Sequence, residues 1–379
     1  MPRRSKRIKT ATQSGGTFGN LPRSIVVHVL KYFDIHEVAR LQRLVCHEFR
    51  DAGQERIHEQ GGRKLYDVGM AFLMGCDYQT IDKDRGWLLI DASREAGCQL
   101  YVLCDKMEKE NLSNEEKKKI FKELKKIART SPYHWVEYFI GTWYHNGFGG
   151  EEKKNQAVEW YSKAINGGNA AAMYSLAFSY MYANGGIRSG ARALGLTKSA
   201  TKANELYALA AEKGHAMSRF NLACSYRDGT GVEIDFNRCV ELLEQSAEQG
   251  YVHAQCNLAD VYRDGSGDNE NGNPMTIPKN DPLHFKWALA AAKQGKVGGQ
   301  AYVAECYERG LGVEPNVASA FEWYMKAAEQ EDEYAQYYIG EYFEHGRGRD
   351  IDLIQALSWY RKAEAQGDQD AANAVERLS

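Results

Sequence analysis

Apolar residues recur along most of this chain with a period of 36 residues. An aliphatic residue followed four positions later by an aromatic one returns in register, with steps of 36, 46, 36, 45 and 36 residues. The six pairs are Ile140/Tyr144, Leu176/Tyr180, Leu222/Tyr226, Leu258/Tyr262, Val303/Tyr307 and Ile339/Phe343. Two units therefore carry insertions, at residues 187–201 and 266–282. A fixed period of this length predicts a solenoid, in which each unit buries its apolar face against its neighbours.

Each unit has the pattern of a helical hairpin. In the unit at residues 215–250, Leu222 and Tyr226 lie on one apolar stripe, which ends at a turn containing Gly229 and Gly231. A second stripe follows over residues 237–248, with apolar residues three and four positions apart. We call the first helix of each unit helix A and the second helix B.

Helix B carries two further recurring positions. A large apolar residue stands at Trp160, Leu206, Leu242, Trp287, Trp323 and Trp359, and an alanine at Ala164, Ala210, Ala291, Ala327 and Ala363. We expect the large residues to pack, and the alanines to let helix B approach the next unit closely.

The recurring residues resemble the Sel-one-like repeat, a relative of the tetratricopeptide repeat. The matching runs are Tyr226-x-x-Gly229-x-Gly231-Val232, its counterpart from Tyr307 to Val313, and Trp-Tyr-x-Lys-Ala at residues 160–164, 323–327 and 359–363. With this resemblance we expect an all-α fold, a right-handed α-solenoid of about eight hairpins behind a small N-terminal three-helix module. Such an array implies a protein-binding surface.

The spacing extends the array towards the N-terminus. Val68 lies 72 residues before Ile140, or two periods, which leaves room for one diverged unit. The predicted boundaries are 1–19 (disordered basic arm), 20–60 (helical module), 62–97, 98–132 (diverged), 133–168, 169–214, 215–250, 251–295, 296–331 and 332–367 (repeats), and 368–379 (C-terminal capping helix). In the diverged unit, Ile120, Phe121 and Leu124 predict a second helix. Its lysine-rich side is interpreted as a solvated face, with a nucleic-acid-binding face as the alternative.

A second informative segment precedes the array. Apolar residues at helical spacing follow Leu21-Pro22, and a second helix leads to Phe49-Arg50. These residues resemble the F-box, with Phe49 in place of the more common Trp. The resemblance implies that a Skp-type adaptor would contact Leu21, Pro22, Ile25, Val26, Val29, Leu30, Val38, Leu41, Leu44, Val45 and Phe49. The alternative is that residues 20–60 form a helical cap on the solenoid.

Together the two resemblances favour a substrate-recognition subunit of a cullin–RING ubiquitin ligase. The expected partners are a Skp-type adaptor with the cullin ligase core, and an unidentified target protein or peptide held by the repeats. The rival is a ubiquitin-independent interaction scaffold built on the same repeats. Neither function requires the chain to perform chemistry itself.

Candidate target-binding residues follow from analogy with related repeats, whose A helices line a groove. The positions two and five residues after each aliphatic marker would face it. They include Phe178, Arg227, Asp260, Arg263, Glu305, Glu308, Glu341 and Glu344. Arginines in the middle and glutamates towards the C-terminus predict a groove of graded charge, suited to a partner with opposed charged patches. Ordinary solvated helix surface is the alternative.

Catalytic motifs are not recognisable. The Gly-x-Gly pairs recur at the turn between helices A and B and lack the Lys-Ser/Thr of a phosphate-binding loop, so we interpret them as turns. His-Glu pairs lack the second histidine of a zinc motif. No enzyme activity, cofactor or metal is therefore expected, although a hydrolase or transferase remains a third class.

Composition agrees with a protein of the cytoplasm or nucleus. The chain is 43% hydrophobic with a net charge of −3, and has no run of 18 apolar residues that would predict a membrane span. Its eight cysteines lack CxxC pairing, which favours free thiols in a reducing compartment. The basic residues Arg3, Arg4, Lys6, Arg7 and Lys9 are either a nuclear-import signal or a solubilising tail.

Overall fold

The computed structural model describes residues 103, 112–130, 134–147, 155–182, 194, 196–265 and 277–379. These residues form fourteen α-helices, and no strand occurs within these ranges. The helices are α1 (Asn114–Thr130), α2 (Trp135–His145), α3 (Gln156–Asn166), α4 (Ala170–Met181), α5 (Ala200–Glu212), α6 (Ala216–Asp228), α7 (Phe236–Glu248), α8 (Val252–Asp264), α9 (Asp281–Lys293), α10 (Val297–Arg309), α11 (Val317–Ala328), α12 (Glu333–His345), α13 (Leu353–Glu364) and α14 (Gln369–Leu378). The predicted all-α fold is confirmed over this part of the chain.

The chain divides into two compact units. Unit 1 comprises Met1–Arg219 with Thr230–Val232, and unit 2 comprises Phe220–Gly229 with Glu233–Ser379. The division falls within α6. The A helices of the hairpins are α2, α4, α6, α8, α10 and α12, and each is followed by its B helix.

In unit 1 each helix packs on the next one along the chain, from α1 to α5. Ile140 of α2 and Tyr161 of α3 lie in the core, with 0% and 1% of their surfaces exposed. A Cβ added to Gly141 would come within 2.7 Å of the Tyr161 ring. The glycine therefore allows α2 and α3 to approach closely enough to bury this tyrosine.

Helix α1 is the predicted second helix of the diverged unit. Its apolar stripe packs on α2, with Leu124 fully buried and the Phe121 ring 4.9 Å from that of Tyr144. Four of its lysines are exposed, whereas Lys125 donates a hydrogen bond to the Tyr144 hydroxyl at 2.5 Å. The predicted stripe is confirmed as core, and most of the lysine-rich side faces solvent.

Unit 2 continues the same arrangement. Consecutive helices pack from α7 to α14, and the A helices α8 and α10 also touch each other directly. Tyr324 of α11 and Tyr360 of α13 are almost fully buried. Within unit 2, each helix from α7 onwards thus packs against its neighbours in sequence, which is the construction of an α-solenoid.

The recurring alanines of helix B are all core residues. Ala164, Ala210, Ala291, Ala327 and Ala363 have 0% of their surfaces exposed, which confirms the predicted close packing. The six large residues at the other B-helix position are less uniform. Leu242 and Trp287 are buried, and Leu206 is half-buried. Three tryptophans are half-buried beneath a lysine three residues later, with ammonium-to-ring distances of 3.5 to 4.2 Å, at Trp160, Trp323 and Trp359.

The turn between helices A and B depends on glycine. Gly310 ends α10 in the left-handed conformation, and its N–H donates to the Cys306 carbonyl at 2.8 Å. Gly312 also has a positive φ, of 70°, and a Cβ there would strike the backbone of Asp281 at the start of α9. The first glycine therefore stops the helix and the second lets the turn pack on the preceding hairpin, which confirms their interpretation as turns.

Three buried glutamines occupy one position of the A helices in unit 2. They stand three residues before the aliphatic marker, at Gln255, Gln300 and Gln336, with 3–5% of their surfaces exposed. Each accepts a hydrogen bond of 2.8–2.9 Å from a glutamine at the end of its own B helix, which is Gln294, Gln330 or Gln366, respectively. Gln255 and Gln336 also donate to carbonyls of the preceding B helix, those of Ala247 and Ala328. Gln255 and Gln336 thus join successive hairpins through hydrogen-bonded amides.

Candidate functional site

The predicted target-binding residues all lie on A helices. Phe178 belongs to α4 in unit 1 and is exposed, and Arg227, also exposed, belongs to the part of α6 in unit 2. The remaining six lie in pairs on α8 (Asp260, Arg263), α10 (Glu305, Glu308) and α12 (Glu341, Glu344). In unit 2 the structure brings several of them together with tyrosines that the sequence analysis did not select.

Helices α8 and α10 meet through a tyrosine and two charged groups. The Arg263 guanidinium lies 4.7 Å from the centre of the Tyr302 ring. Asp260 forms an ion pair with Arg263 at 3.8 Å and also interacts with the Tyr302 hydroxyl. Burial, followed by the interaction with Asp260, raises the pKa of Tyr302 to about 12. This phenol is therefore protonated at neutral pH.

Helix α12 adds two aromatic rings to the same side. Tyr334 is 41% exposed, and its ring lies 4.6 Å from that of Tyr338. Tyr338 in turn stacks on the buried Tyr324 at 5.0 Å with nearly parallel planes. Burial, followed by interaction with Tyr338, raises the pKa of Tyr334, and the Glu305 carboxylate of α10 contributes to that rise. Glu305 is thus close to the tyrosines of the neighbouring A helix.

We call this surface the A face of unit 2. It consists of Asp260, Arg263, Tyr302, Glu305, Tyr334, Tyr338 and Glu341, on three successive A helices. Aromatic rings alternate along it with carboxylates and a guanidinium. Tyrosine provides a large apolar contact and a polar tip, and for this reason is enriched at protein interfaces.

Two of the predicted groove residues are instead part of the internal structure. Glu344 has only 8% of its surface exposed. It accepts a hydrogen bond from the Tyr360 hydroxyl at 2.7 Å and is bound through both carboxylate oxygens by Arg377 of α14. Glu308 repeats this arrangement one hairpin earlier, with Tyr324 at 3.1 Å and Arg347 at 2.9 Å.

The prediction that Glu344 faces a groove is therefore corrected. A carboxylate at this position accepts a hydrogen bond from the tyrosine of its own B helix. An arginine from a later part of the chain neutralises its charge. Such an arrangement retains a buried acid at modest cost because its oxygens are bonded. The same pairing lowers the pKa of Glu344, chiefly through its hydrogen bond with Arg377.

The predicted gradient of charge is also weaker than the sequence indicates. Each of the seven charged residues has an oppositely charged partner on the protein. Besides the pairs given above, Arg227 pairs with Asp228, Arg263 with Asp264, Glu305 with Arg309, and Glu341 with His345 and Arg347. These charges are locally balanced, so the A face presents orienting dipoles and rings rather than one strong electrostatic field.

Unit 1 carries a different A-helix surface. Tyr174, Phe178 and Tyr182 follow one another at intervals of four residues along α4. The Phe178 ring lies 4.6 Å from that of Tyr182, and 38% and 44% of these residues' surfaces are exposed. The sequence analysis named only Phe178, although the spacing of four would have selected all three.

Stacked helical hairpins place the chain in the class of α-helical repeat proteins. The Sel1 repeat family matches residues 136–169, 170–215, 216–251, 252–296, 298–332 and 333–368. Because these matches cover more than half of the chain, the chain belongs to the Sel1 repeat family. The resemblance to Sel-one-like repeats is confirmed.

Solved structures with the same repeat have a similar fold. A protective antigen of uropathogenic Escherichia coli strains, which displays an SLR fold, matches with a TM-score of 0.58 and 23% identity over 86% of this chain and 59% of that chain. This chain thus spans less than two thirds of that protein. A Sel1 repeat protein from Oxalobacter formigenes matches with a TM-score of 0.50 and 25% identity, over 63% of this chain and 86% of that one.

A curated relative matches over a short stretch. Chitin synthase regulatory factor 3 of Schizosaccharomyces pombe is 45% identical over 49 residues, which are 13% of this chain and 5% of that protein. A match over so short a stretch does not transfer the activity of that protein to this chain.

Several predictions concern residues outside the described ranges. The F-box-like residues from Leu21 to Phe49, the basic arm, the repeat at 62–97 and most of both insertions belong to this group. Within the described ranges, no group of three or more His, Cys, Asp or Glu side chains could hold a metal ion. None of the described helices is long and apolar enough to cross a membrane.

Proposed function

We propose that the chain is a protein-interaction scaffold whose A face of unit 2 binds an extended segment of a partner protein. The observation that carries this proposal is the alternation of tyrosine rings and paired charges across α8, α10 and α12. Tyr302, Tyr334 and Tyr338 supply the rings, and Arg263 and Glu305 lie between them.

The chemistry of this surface suits an extended peptide. Tyrosine rings supply contact area with few rotatable bonds, so little side-chain entropy is lost on binding. Protonated phenols and balanced ion pairs can hydrogen-bond the amide groups of a peptide without requiring it to carry a large net charge. The expected partner segment therefore combines apolar side chains with accessible backbone groups.

Selection from a displayed library of random 12-residue peptides, with the full-length chain as bait, tests this proposal. Enriched peptides would be synthesised with a fluorophore and titrated by fluorescence anisotropy. We expect Tyr334→Ala to weaken their binding by about tenfold or more, because exposed aromatic residues in such surfaces dominate affinity. Tyr334 is suited to this test because 41% of its surface is exposed.

Leu209→Ala is the matched control, because Leu209 is similarly exposed, at 46%, but lies on a B helix of unit 1. It should leave the affinity unchanged. Selected peptides that bind Tyr334→Ala as tightly as the wild type would move the binding site away from the A face of unit 2. Phe178→Ala would then test the aromatic surface of α4.

A finer hypothesis is that the scaffold serves a ubiquitin ligase. It rests on the F-box-like pattern of residues 20–60, in particular Leu21-Pro22, Leu44-Val45 and Phe49-Arg50. Titration of the full-length chain with a purified Skp-type adaptor tests it directly. Tight binding that is lost in a folded Leu21→Ala/Leu30→Ala variant would support the ligase role. An absence of binding by the folded wild type would leave the ubiquitin-independent scaffold.

A further inference from the structure

An exposed aliphatic patch lies at the start of the B helices α11 and α13. It consists of Val317, Ile351, Leu353 and Ile354, whose surfaces are 47%, 65%, 48% and 82% exposed. We call it the turn patch. It contains none of the residues of the A face, and all four of its members belong to unit 2.

The four residues surround one turn. A Cβ added to Gly348 would lie 3.0 Å from a methyl group of Val317, and one added to Gly346 would lie 2.9 Å from Cγ1 of Ile351. The turn that contains these glycines therefore contacts both Val317 and Ile351. Leu353 and Ile354 come two and three residues after Ile351, in the first turn of α13. The aliphatic groups thus form a connected surface across two hairpins.

The repeat does not require an aliphatic side chain at the position of Ile354. This residue is the second one after Asp352, which caps α13. Four other described B helices have a side-chain cap, and none has Ile, Leu or Val at this position. The residues there are Thr201, Asn237, Pro282 and Ala318. The position of Ile351, just before the cap, varies, with Ile234 in α7, Pro315 in α11, and Lys198 and Lys279 in α5 and α9. Packing of the repeat therefore leaves the apolar character of Ile354 unexplained.

The charges around the patch are acidic. Asp350 directly precedes Ile351, and Glu314 lies three residues before Val317. Both are exposed, and neither forms an ion pair with any residue in the described ranges. The nearby arginines are engaged elsewhere. Arg347 pairs with Glu308 and Glu341, and the Arg349 guanidinium lies over the Phe321 ring at 3.0 Å. Uncompensated carboxylates at the rim of an apolar surface favour a partner with basic groups at the corresponding positions.

We propose that the turn patch is a second docking site, and that its occupant is a partner segment with aliphatic side chains flanked by lysine or arginine. The aliphatic side chains of that segment would cover Ile351 and Ile354, and its basic flanks would lie next to Asp350 and Glu314. The site is independent of the A face, so a single chain could hold two partners, or two segments of one partner.

An array of 12-residue peptides tests this proposal. Its members share permuted Leu/Ile/Val cores and carry either Lys/Arg or Asp/Glu flanks, and the best binders are titrated against the full-length chain. We expect basic-flanked peptides to bind at least about tenfold more tightly than their acidic counterparts, with a preference that declines as salt increases. Equal binding of both classes would overturn the proposed occupant.

The variants Ile354→Asn and Ile351→Lys take their new residues from the equivalent positions of α7 and α9, so the fold already accommodates them. Each should reduce binding by about tenfold, whereas Tyr334→Ala should not. Unchanged binding by both variants would place the site elsewhere. Sedimentation of the wild type and Ile354→Asn distinguishes a second copy as occupant. A dimer that dissociates in this variant would replace the proposed partner with the chain itself.

Discussion

Helix α4 of unit 1 and helix α12 of unit 2 fill the same position of the A helix in opposite ways. Three residues before the marker, α4 of unit 1 has Met173, which is 4% exposed in an apolar cluster with Ala170 and Ala210. The equivalent position of α12 in unit 2 is Gln336, which is 3% exposed and makes hydrogen bonds to Gln366 and Ala328. A buried position of this repeat thus accepts an apolar group, or a polar one whose hydrogen bonds are all made.

The exposed A-helix surfaces of the two units also differ, because that of unit 1 is apolar and that of unit 2 includes charged groups. In α4 the exposed side is aromatic, from Tyr174 to Tyr182, and carries no acid or base. In α8 and α10 it combines rings with ion pairs, as at Arg263 and Tyr302. The same helical repeat therefore displays two surface chemistries along one chain.

The largest effect is expected from the core of unit 1. Leu124→Ala should destabilise this unit by about 2–5 kcal/mol, because a fully buried leucine is replaced by a cavity. Adding Phe121→Ala should increase the loss. Calorimetric unfolding measures the effect, and Lys122→Ala on the exposed side of α1 is the control. Unchanged unfolding of the double variant would show that α1 does not contribute to the fold.

Exchanging the residue types at Met173 and Gln336, three positions before the marker, tests the comparison between α4 and α12. Met173→Gln should cost about 1–3 kcal/mol, because it buries an amide among apolar groups. Gln336→Met should cost about the same or less, since it leaves the Ala328 carbonyl and the Gln366 amide without this partner. Urea denaturation measures both variants.

A stable Met173→Gln would show that unit 1 already contains hydrogen-bond partners for an amide at this position. Gln330→Met is a useful companion variant, because Gln330 is the exposed end of another glutamine pair. It should lose less stability than Gln336→Met. The order of the three losses in stability shows whether the glutamine pairs stabilise the fold mainly through their buried ends.

The sequence predicted the repeat because the aliphatic and aromatic markers lie on the buried stripe of every A helix. The buried glutamines could have been found from the sequence, because Gln255, Gln300 and Gln336 occupy the same position of the repeat. They were missed because a polar residue in an apolar stripe is ordinarily assigned to the surface. Glu344 was placed in the groove by its position five residues after the marker, by analogy with related repeats. Its burial depends on Tyr360 and Arg377, which are distant in sequence and come together only in the folded hairpins.

Removing a helix cap should lower the stability less than the core substitutions do, and by different amounts in the two units. Asp352 caps α13 by accepting from the backbone N–H groups of Ile354 and Gln355, both at 3.0 Å. Ser199 caps α5 of unit 1 through one longer bond, of 3.3 Å to Lys202. We expect Asp352→Ala to cost about 1–2 kcal/mol and Ser199→Ala about 0.5–1 kcal/mol. Urea denaturation would detect both, and a larger loss for Ser199→Ala would contradict this ranking.

The smallest expected effect is the pH dependence contributed by Glu344 of unit 2. The hydrogen bond with Arg377 holds the pKa of Glu344 below its ordinary value of 4.5. The ionised carboxylate therefore stabilises the folded state above about pH 4.5, and this contribution is lost as the pH falls through the lower pKa of the folded state. In unit 1 the corresponding residue of α4 is Met181, which does not titrate.

Glu344→Gln should thus make the midpoint of urea unfolding less sensitive to pH between about 6 and 3. Glutamine retains an oxygen for the Tyr360 hydroxyl but cannot ionise, so the difference between the two pH profiles isolates the carboxylate. Glu364→Gln, an exposed change on the neighbouring α13, is the control. Parallel profiles for wild type and Glu344→Gln would show that the Tyr360–Glu344–Arg377 cluster is held by shape rather than by charge.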